Sequence, residues 1–297
     1  MVKSMFSGIA GLRAHQQKMD VIGNNIANVN TFGYKAGRVT FKESIYQTTA
    51  SSSDGSDVFA GSNPSQIGYG SQVGTIDLMF SNGAYAPTDS AMDCMIDGQG
   101  FFMVGPKGVE IELSDDDAVV SKEMSKVTLS RVGNFTFDGD GYLCDGSGNV
   151  VYGFGYKDGV IEVGRLQSIR VPVDADGIPL KLNSVSISKT GEIIGNDSAG
   201  KSISVGMIGL ANVPNPNALE KTQGPYYQVR ENTGIVLPFK PGEGTTGKII
   251  SYGLEMSNVD LAKEFSEMIT TQRGFQANTR IISVTDEMLQ ELVNIKR

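Results

Sequence analysis

The stretch of this chain that comes nearest to a reactive motif is Gly242-Glu243-Gly244-Thr245-Thr246-Gly247-Lys248. Its glycines and closing lysine follow the spacing of a phosphate-binding loop, in which backbone N–H groups and a helix N-terminus face phosphate and a Ser or Thr after the lysine holds magnesium. Here Ile249 follows the lysine, Pro238 and Pro241 interrupt the strand that should lead in, and Ile249-Ile250-Ser251-Tyr252 reads as a strand rather than a helix. A glycine-rich loop is expected. Asp138 and Asp140 begin like a calcium loop, but Gly141-Tyr142-Leu143 stands where the next ligands belong, so a hairpin turn is expected. His15 is the one histidine, and neither Gly-x-Ser-x-Gly nor His-Glu-x-x-His occurs. Cys94 and Cys144 are too few for a disulfide framework, match no metal spacing and read as buried thiols. No pair among the 33 acids is singled out by its setting. The residues therefore nominate no catalytic, metal or cofactor site, and the chain is expected to be no enzyme and to need no cofactor.

What the sequence does organise is its two ends. From Met5 to Val29 the apolar residues Met5, Ile9, Leu12, Met19 and Ile26 keep an alternating four-three spacing, with Gln16 and Gly23 in the intervening positions and Val21, Ile22 and Val29 widening the stripe. Thr31, Phe32 and Gly33 break it, and a glycine can take the left-handed backbone that follows a helix. The other end repeats the pattern at Leu261, Phe265, Met268, Gln272, Phe275, Thr279, Ile282, Asp286, Leu289 and Val293. Ser257 precedes it as the expected N-cap, with Asp260 three residues on, and one helix is predicted from about 258 to about 295. A helix of that length cannot hide its stripe alone, and the matching stripe lies at the opposite terminus, so the two ends should pack together. Amides beside the seam, including Asn24, Asn25, Asn28, Gln272 and Asn278, either fix register or face solvent.

Between the ends the period falls to two. Ile76/Leu78/Phe80, Phe135/Phe137, Tyr152/Phe154/Tyr156, Val185/Ile187 and Ile203/Val205/Met207 alternate, and turn signals stand at Asp138-Gly139, Asp140-Gly141, Asp158-Gly159, Asp176-Gly177 and Thr190-Gly191. The expected class is α+β: terminal helices over 1–47 with 257–297 paired as a coiled-coil-like inner domain, and a central antiparallel all-β domain over 71–256. The small, polar run between them is read as a linker over 48–70, and the irregular stretch 157–182 as an inserted lobe. The formal charge of −8 lacks the basic stripe that nucleic acid needs. No apolar run approaches the roughly 18 residues of a bilayer span, and the first thirty residues lack a signal-peptide core, so neither membrane insertion nor ordinary secretory targeting is expected.

Four stretches carry a resemblance to a known family. Met5 to Leu12 (MFSGIAGL) with Asp20 to Lys35 (DVIGNNIANVNTFGYK), Gly98-Gln99-Gly100-Phe101-Phe102, Leu254 to Asp260 (LEMSNVD), and Gln272-Arg273-Gly274-Phe275-Gln276-Ala277-Asn278 together resemble the axial proteins of the bacterial flagellum. The resemblance implies an inner domain of paired terminal helices, an outer β domain, export through the flagellar secretion apparatus to the extracellular flagellum, and helical self-assembly into a tube. It implies as partners further copies of the chain, the distal rod protein, hook cap and hook–filament junction proteins. The assembly interface would be Met5, Ile9, Leu12, Met19, Ile22, Ile26, Leu261, Phe265, Met268, Phe275, Ile282, Leu289 and Val293. Arg38-Val39-Thr40-Phe41 and Asn63-Pro64-Ser65-Gln66-Ile67-Gly68 resemble the hook members, whose tube transmits torque. The distal rod members are the alternative, and a secreted β-rich binding module is a remote one.

Overall fold

The structure is a computed structural model that describes residues 2–52, 54, 60–113, 117–157, 160–173, 179–197 and 200–295. Its helices are α1 (Val2–Ala27), α2 (Asp117–Met124) and α3 (Leu261–Ile295). After α1 the Asn28 amide donates back to the Asn24 carbonyl at 2.8 Å, and Gly33 takes φ 67°, the left-handed conformation expected of it. The start of α3 differs from the expected cap. Asp260, not Ser257, caps it: its Oδ1 accepts from the N–H groups of Ala262 (2.9 Å) and Lys263 (3.3 Å). A carboxylate there satisfies two open amides and complements the helix dipole, which a hydroxyl three residues earlier cannot. From that cap α3 runs 35 residues, about 52 Å at 1.5 Å per residue. Among the described residues, no helix is long and apolar enough to cross a membrane.

The chain divides into two compact units. One holds residues 1–29, 36–79 and 259–297: α1, α3 and a two-stranded ribbon. Strand Gly37–Glu43 pairs antiparallel with Ser71–Leu78, and Tyr46–Ala50 pairs with Ser65–Gly68, with Ser44 and Tyr69 bonding across the junction. The stretch expected to be a linker thus carries strands. Its Thr48, Thr49 and Ile67 suit extended backbone, which the small-polar composition concealed, and residues 71–78 go with this unit rather than with the β body. Residues 53 and 55–59 of the expected linker lie outside the described residues.

The other unit, residues 30–35 and 80–258, is the β body. Its main sheet runs in the order Leu182–Ile187, Glu192–Asp197, Ser202–Ile208, Val150–Lys157, Phe101–Gly105, Thr128–Ser130, Tyr226–Gln228, Glu220–Lys221, and the pairings along it are antiparallel. The Thr190-Gly191 signal makes the turn into Glu192–Asp197, with Gly191 at φ 78°, while the turn signals at 158–159 and 176–177 lie outside the described residues. The expected lobe at 157–182 is not separate: strand Val160–Ser168 pairs back onto Val150–Lys157, and Leu166 and Ile169 are buried. Their apolar side chains enter the body's core, so the described part of the segment does not stand away from it; residues 158–159 and 174–178 lie outside the described residues. That core includes Phe102, Phe135, Leu143, Val151, Ile193, Ile208 and Leu210, with Phe102 and Phe135 edge to face at 5.1 Å. The sequence reading missed α2 altogether, a short helix whose Val120 and Met124 are buried.

Truncating Phe102→Ala should destabilise the β body by about 3–5 kcal/mol, the cost of lost burial plus a cavity, read as a shifted urea midpoint of the β signal.

Candidate assembly interface

In the helical unit α1 and α3 lie antiparallel, and glycine sets their distance. A Cβ at Gly11 would come within 2.9 Å of the Asn278 amide, one at Gly274 within 2.7 Å of the His15 ring, and one at Gly8 within 3.5 Å of Ile282. Farther along, Lys18 pairs with Glu267 at 3.1 Å. His15 is held neutral more readily than usual, because burial and the neighbouring Lys18 charge both lower its pKa. On its other side α1 meets the ribbon, where the His15 and Phe41 rings are 5.8 Å apart.

Asn25 ties the three elements together. It is buried; its Oδ1 accepts from Gly37 N–H at 2.9 Å, and its Nδ2 donates to the Gly37 carbonyl (2.9 Å) and to Glu264 Oε1 (3.2 Å). One amide thus replaces a strand neighbour for Gly37 and reaches α3. Of the two readings left open for the seam amides, register fixing applies to Asn25. Burial also raises the Glu264 pKa, against the Asn25 bond, which lowers it.

The expected seam and the packed face coincide only in part. On α3, Met268, Phe275, Ile282 and Leu289 are half-buried, but the residues that alternate with them are Glu264, Thr271, Asn278 and Thr285, of which Thr271 and Thr285 are buried. Leu261, Phe265, Gln272, Thr279, Asp286 and Val293 are exposed. Alternate positions move by one residue, from Phe265 to Glu264, Gln272 to Thr271, Thr279 to Asn278 and Asp286 to Thr285, while Met268, Phe275, Ile282 and Leu289 keep their place, so the face against α1 combines apolar side chains with small and amide ones. On α1, Ile22 is buried and Met5, Ile9, Leu12, Met19 and Ile26 are half-buried, whereas Gly8, Gly11 and Ala14 are buried and were not singled out.

This packing leaves a second apolar stripe open on α3. Ile281, Val284, Met288, Leu292 and Ile295 are exposed along one face, Ile295 to 80%, while Ile269 (60%) and Val293 (68%) are exposed elsewhere on the helix. A groove of about 510 Å³ lined by Arg273, Ala277, Arg280, Ile281 and Val284 runs along it. No comparable chemistry gathers at the sequence decoys. The Gly242 to Lys248 loop is closed by Thr246, whose hydroxyl donates to the Glu243 (2.6 Å) and Lys240 (3.0 Å) carbonyls, and the strand Lys248–Ser251 follows it. Asp138 and Asp140 flank a hairpin turn and both pair with Lys107 at 3.1 Å. Cys94 and Cys144 are free and buried; burial pushes the Cys94 thiol well up.

Known proteins match the same two ends. The family described as "Flagella basal body rod protein" matches residues 5–35, and "Flagellar basal body rod FlgEFG protein C-terminal" matches 251–295. Across its whole length the chain is 42% identical to the "Flagellar basal-body rod protein FlgG" of Bacillus subtilis, over 298 positions that cover 100% of both chains. The chain belongs to the family of flagellar axial proteins. It is a structural component of the bacterial flagellum. Another family member, the FlgG of Buchnera aphidicola subsp. Schizaphis graminum, is 31% identical over 295 positions, covering 98% of this chain and 99% of that one. The "Flagellar hook protein FlgE" of Borreliella burgdorferi is 27% identical over 445 positions that cover 100% of both. Rod and hook proteins both stand among the relatives.

Gly274→Ala should weaken helix pairing by about 1–3 kcal/mol through overpacking, although alanine gains about 1 kcal/mol of helix propensity. His15→Ala in the same chain should remove most of that penalty. A double-mutant cycle on the thermal melt of the helical signal measures the coupling, and additivity would show that the two residues do not meet.

Proposed function

We propose that the chain is a non-catalytic subunit of the basal-body rod that assembles with copies of itself into a helical tube. The observation that carries this reading is alignment length. The Bacillus subtilis rod relative aligns over 298 positions against the 297 residues of this chain, whereas the Borreliella burgdorferi hook relative needs 445, so at least 445 − 297 = 148 of those positions have no counterpart here. The motifs at 38–41 and 63–68 favour a hook subunit, which is the second reading. Those motifs lie in the helical unit, near the ends that rod and hook relatives share.

Self-assembly is supported by the open stripe of α3. A continuous row of large apolar side chains along a water-exposed helix is unfavourable in a lone subunit, and stacking on further copies through head-to-tail contacts removes it from water. The expected interface residues Leu261, Phe265 and Val293 are exposed but lie off this row, whereas Ile22, Met268, Phe275, Ile282 and Leu289 are at least half covered within the subunit. Delivery through the flagellar export apparatus, and contact with neighbouring axial proteins at either end of the tube, accompany this reading.

Electron microscopy of basal bodies from a deletion strain separates the two readings: rods that stop short are expected, and complete rods lacking only the hook would promote the second reading. Purified Leu292→Asp, a charge placed in the open stripe, should keep its helical and β signals yet form no tubes under conditions where the unaltered chain does. Normal tubes from that variant would remove the stripe from the interface.

A further inference from the structure

Three charged side chains of the β body meet out of water. Lys35 is 0% exposed, Glu255 1% and Arg131 2%. Lys35 Nζ lies 2.6 Å from Glu255 Oε1, and Arg131 Nη1 lies 3.3 Å from Glu255 Oε2. Local carbonyls take further donors: Lys35 Nζ donates to Ser81 (2.9 Å) and Arg131 Nη2 to Gly98 (2.9 Å), while Gly83 N–H donates to Glu255 Oε1 (2.9 Å). Arg131 Nε is buried without a partner among the described residues. The guanidinium lies 5.2 Å from the centre of Phe101, which with Phe80 and Tyr227 forms an edge-to-face aromatic cluster. One carboxylate therefore answers two cations, and the site is left one positive charge in excess. Burial lowers the Lys35 pKa, and Glu255 acts against that shift.

The three residues come from widely separated parts of the chain. Lys35 ends the short segment after α1, Arg131 follows strand Thr128–Ser130, and Glu255 closes strand Gly253–Glu255, which pairs with Tyr85–Pro87 and whose last carbonyl accepts from Gly33 N–H at 2.8 Å. We propose that the triad is a completion latch: the β body cannot close around Lys35 and Arg131 until the strand carrying Glu255 docks. Two cations enclosed without that carboxylate would carry an uncompensated burial penalty, whereas the assembled triad lowers it. Glu255 comes 220 residues after Lys35 and 124 after Arg131. A chain that is made or delivered N-terminus first therefore keeps its body open until the strand carrying Glu255 has arrived. This holds for a rod and for a hook subunit alike, and it accounts for a lysine and a glutamate placed where apolar side chains would pack at lower cost.

Pulse-labelling hydrogen exchange during refolding of the full chain tests the order of events. Strands Phe101–Gly105 and Thr128–Ser130 should gain protection in the same phase as Gly253–Glu255. At equilibrium, Glu255→Met should lower protection of Phe101–Gly105 by at least about 100-fold, as expected when a buried pair loses one partner. The triple variant Lys35→Met, Arg131→Met, Glu255→Met should restore it to within about tenfold of the unaltered chain, since no charge is left to strand, and should protect Phe101–Gly105 ahead of Gly253–Glu255. The latch is overturned if the unaltered chain protects Phe101–Gly105 before Gly253–Glu255 docks, if Glu255→Met keeps full protection, or if the triple variant fails to recover it. The first measurement needs no variant to fold.

Discussion

The closeness of α1 and α3 is the constraint on which the helical unit depends. Gly11 on one helix and Gly274 on the other remove side chains where the helices approach, so that Asn278 and the His15 ring occupy the space a Cβ would need. Close approach has a geometric consequence. Where a pair of helices meets through small residues the contact face is narrow: on α3 it half-buries Met268, Phe275, Ile282 and Leu289 and leaves Ile281, Val284, Met288 and Leu292 as an open row. The same choice that fits α1 to α3 leaves a face that a lone subunit does not cover. Asn25 adds direction to this packing, because an amide bonded both ways to Gly37 and also to Glu264 is satisfied in one register only.

The sequence made the elements legible and their contact faces much less so. Both terminal helices, the strands around Phe135, Tyr152, Val185 and Ile203, and the Gly242 to Lys248 loop with a strand rather than a helix after it follow from period and turn residues alone. Half of the expected seam departs by one residue: hydrophobic spacing ranks Phe265 above Glu264, whereas Glu264, Thr271, Asn278 and Thr285 enter the packed face through size and hydrogen bonding. The glycines at 8, 11 and 274 were the available signal, since three glycines inside helical patterns are costly unless something approaches them closely. The ribbon over 37–50 and 65–78 was missed in part because its small and polar residues resemble a flexible connector. The charged triad was not legible: Lys35 and Glu255 each sit inside a recognised terminal signature, but nothing in one dimension shows that they meet.

That the ends match rod and hook proteins alike has a physical basis. The terminal helices must fit each other, which leaves little freedom at positions such as Gly274 or Asn25, and on the proposed reading they must fit the faces of neighbouring copies as well. Surface loops of a β body face no such demand and accept added chain at small cost. Relatives within the family can therefore differ by 148 or more aligned positions and keep the same ends. Terminal motifs consequently identify the family, and the proposed reading takes the section of the tube from the length over which each relative aligns.

The order of closure extends this argument. In the helical unit α1 packs on the ribbon and on α3, whose contacts at Asn278 and Ile282 lie some 270 residues from Gly8 and Gly11; in the β body Lys35 waits for Glu255, 255 − 35 = 220 residues later. Both units are closed by segments from the last fifth of the chain, and contacts of such long separation form late because the intervening chain must first be ordered. A protein whose pieces could close early would commit each piece before the rest arrived. Here the first and last segments hold each other's missing parts, small against bulky in the helices and cation against carboxylate in the body, so neither unit reaches its final packing without the C-terminal end of the chain.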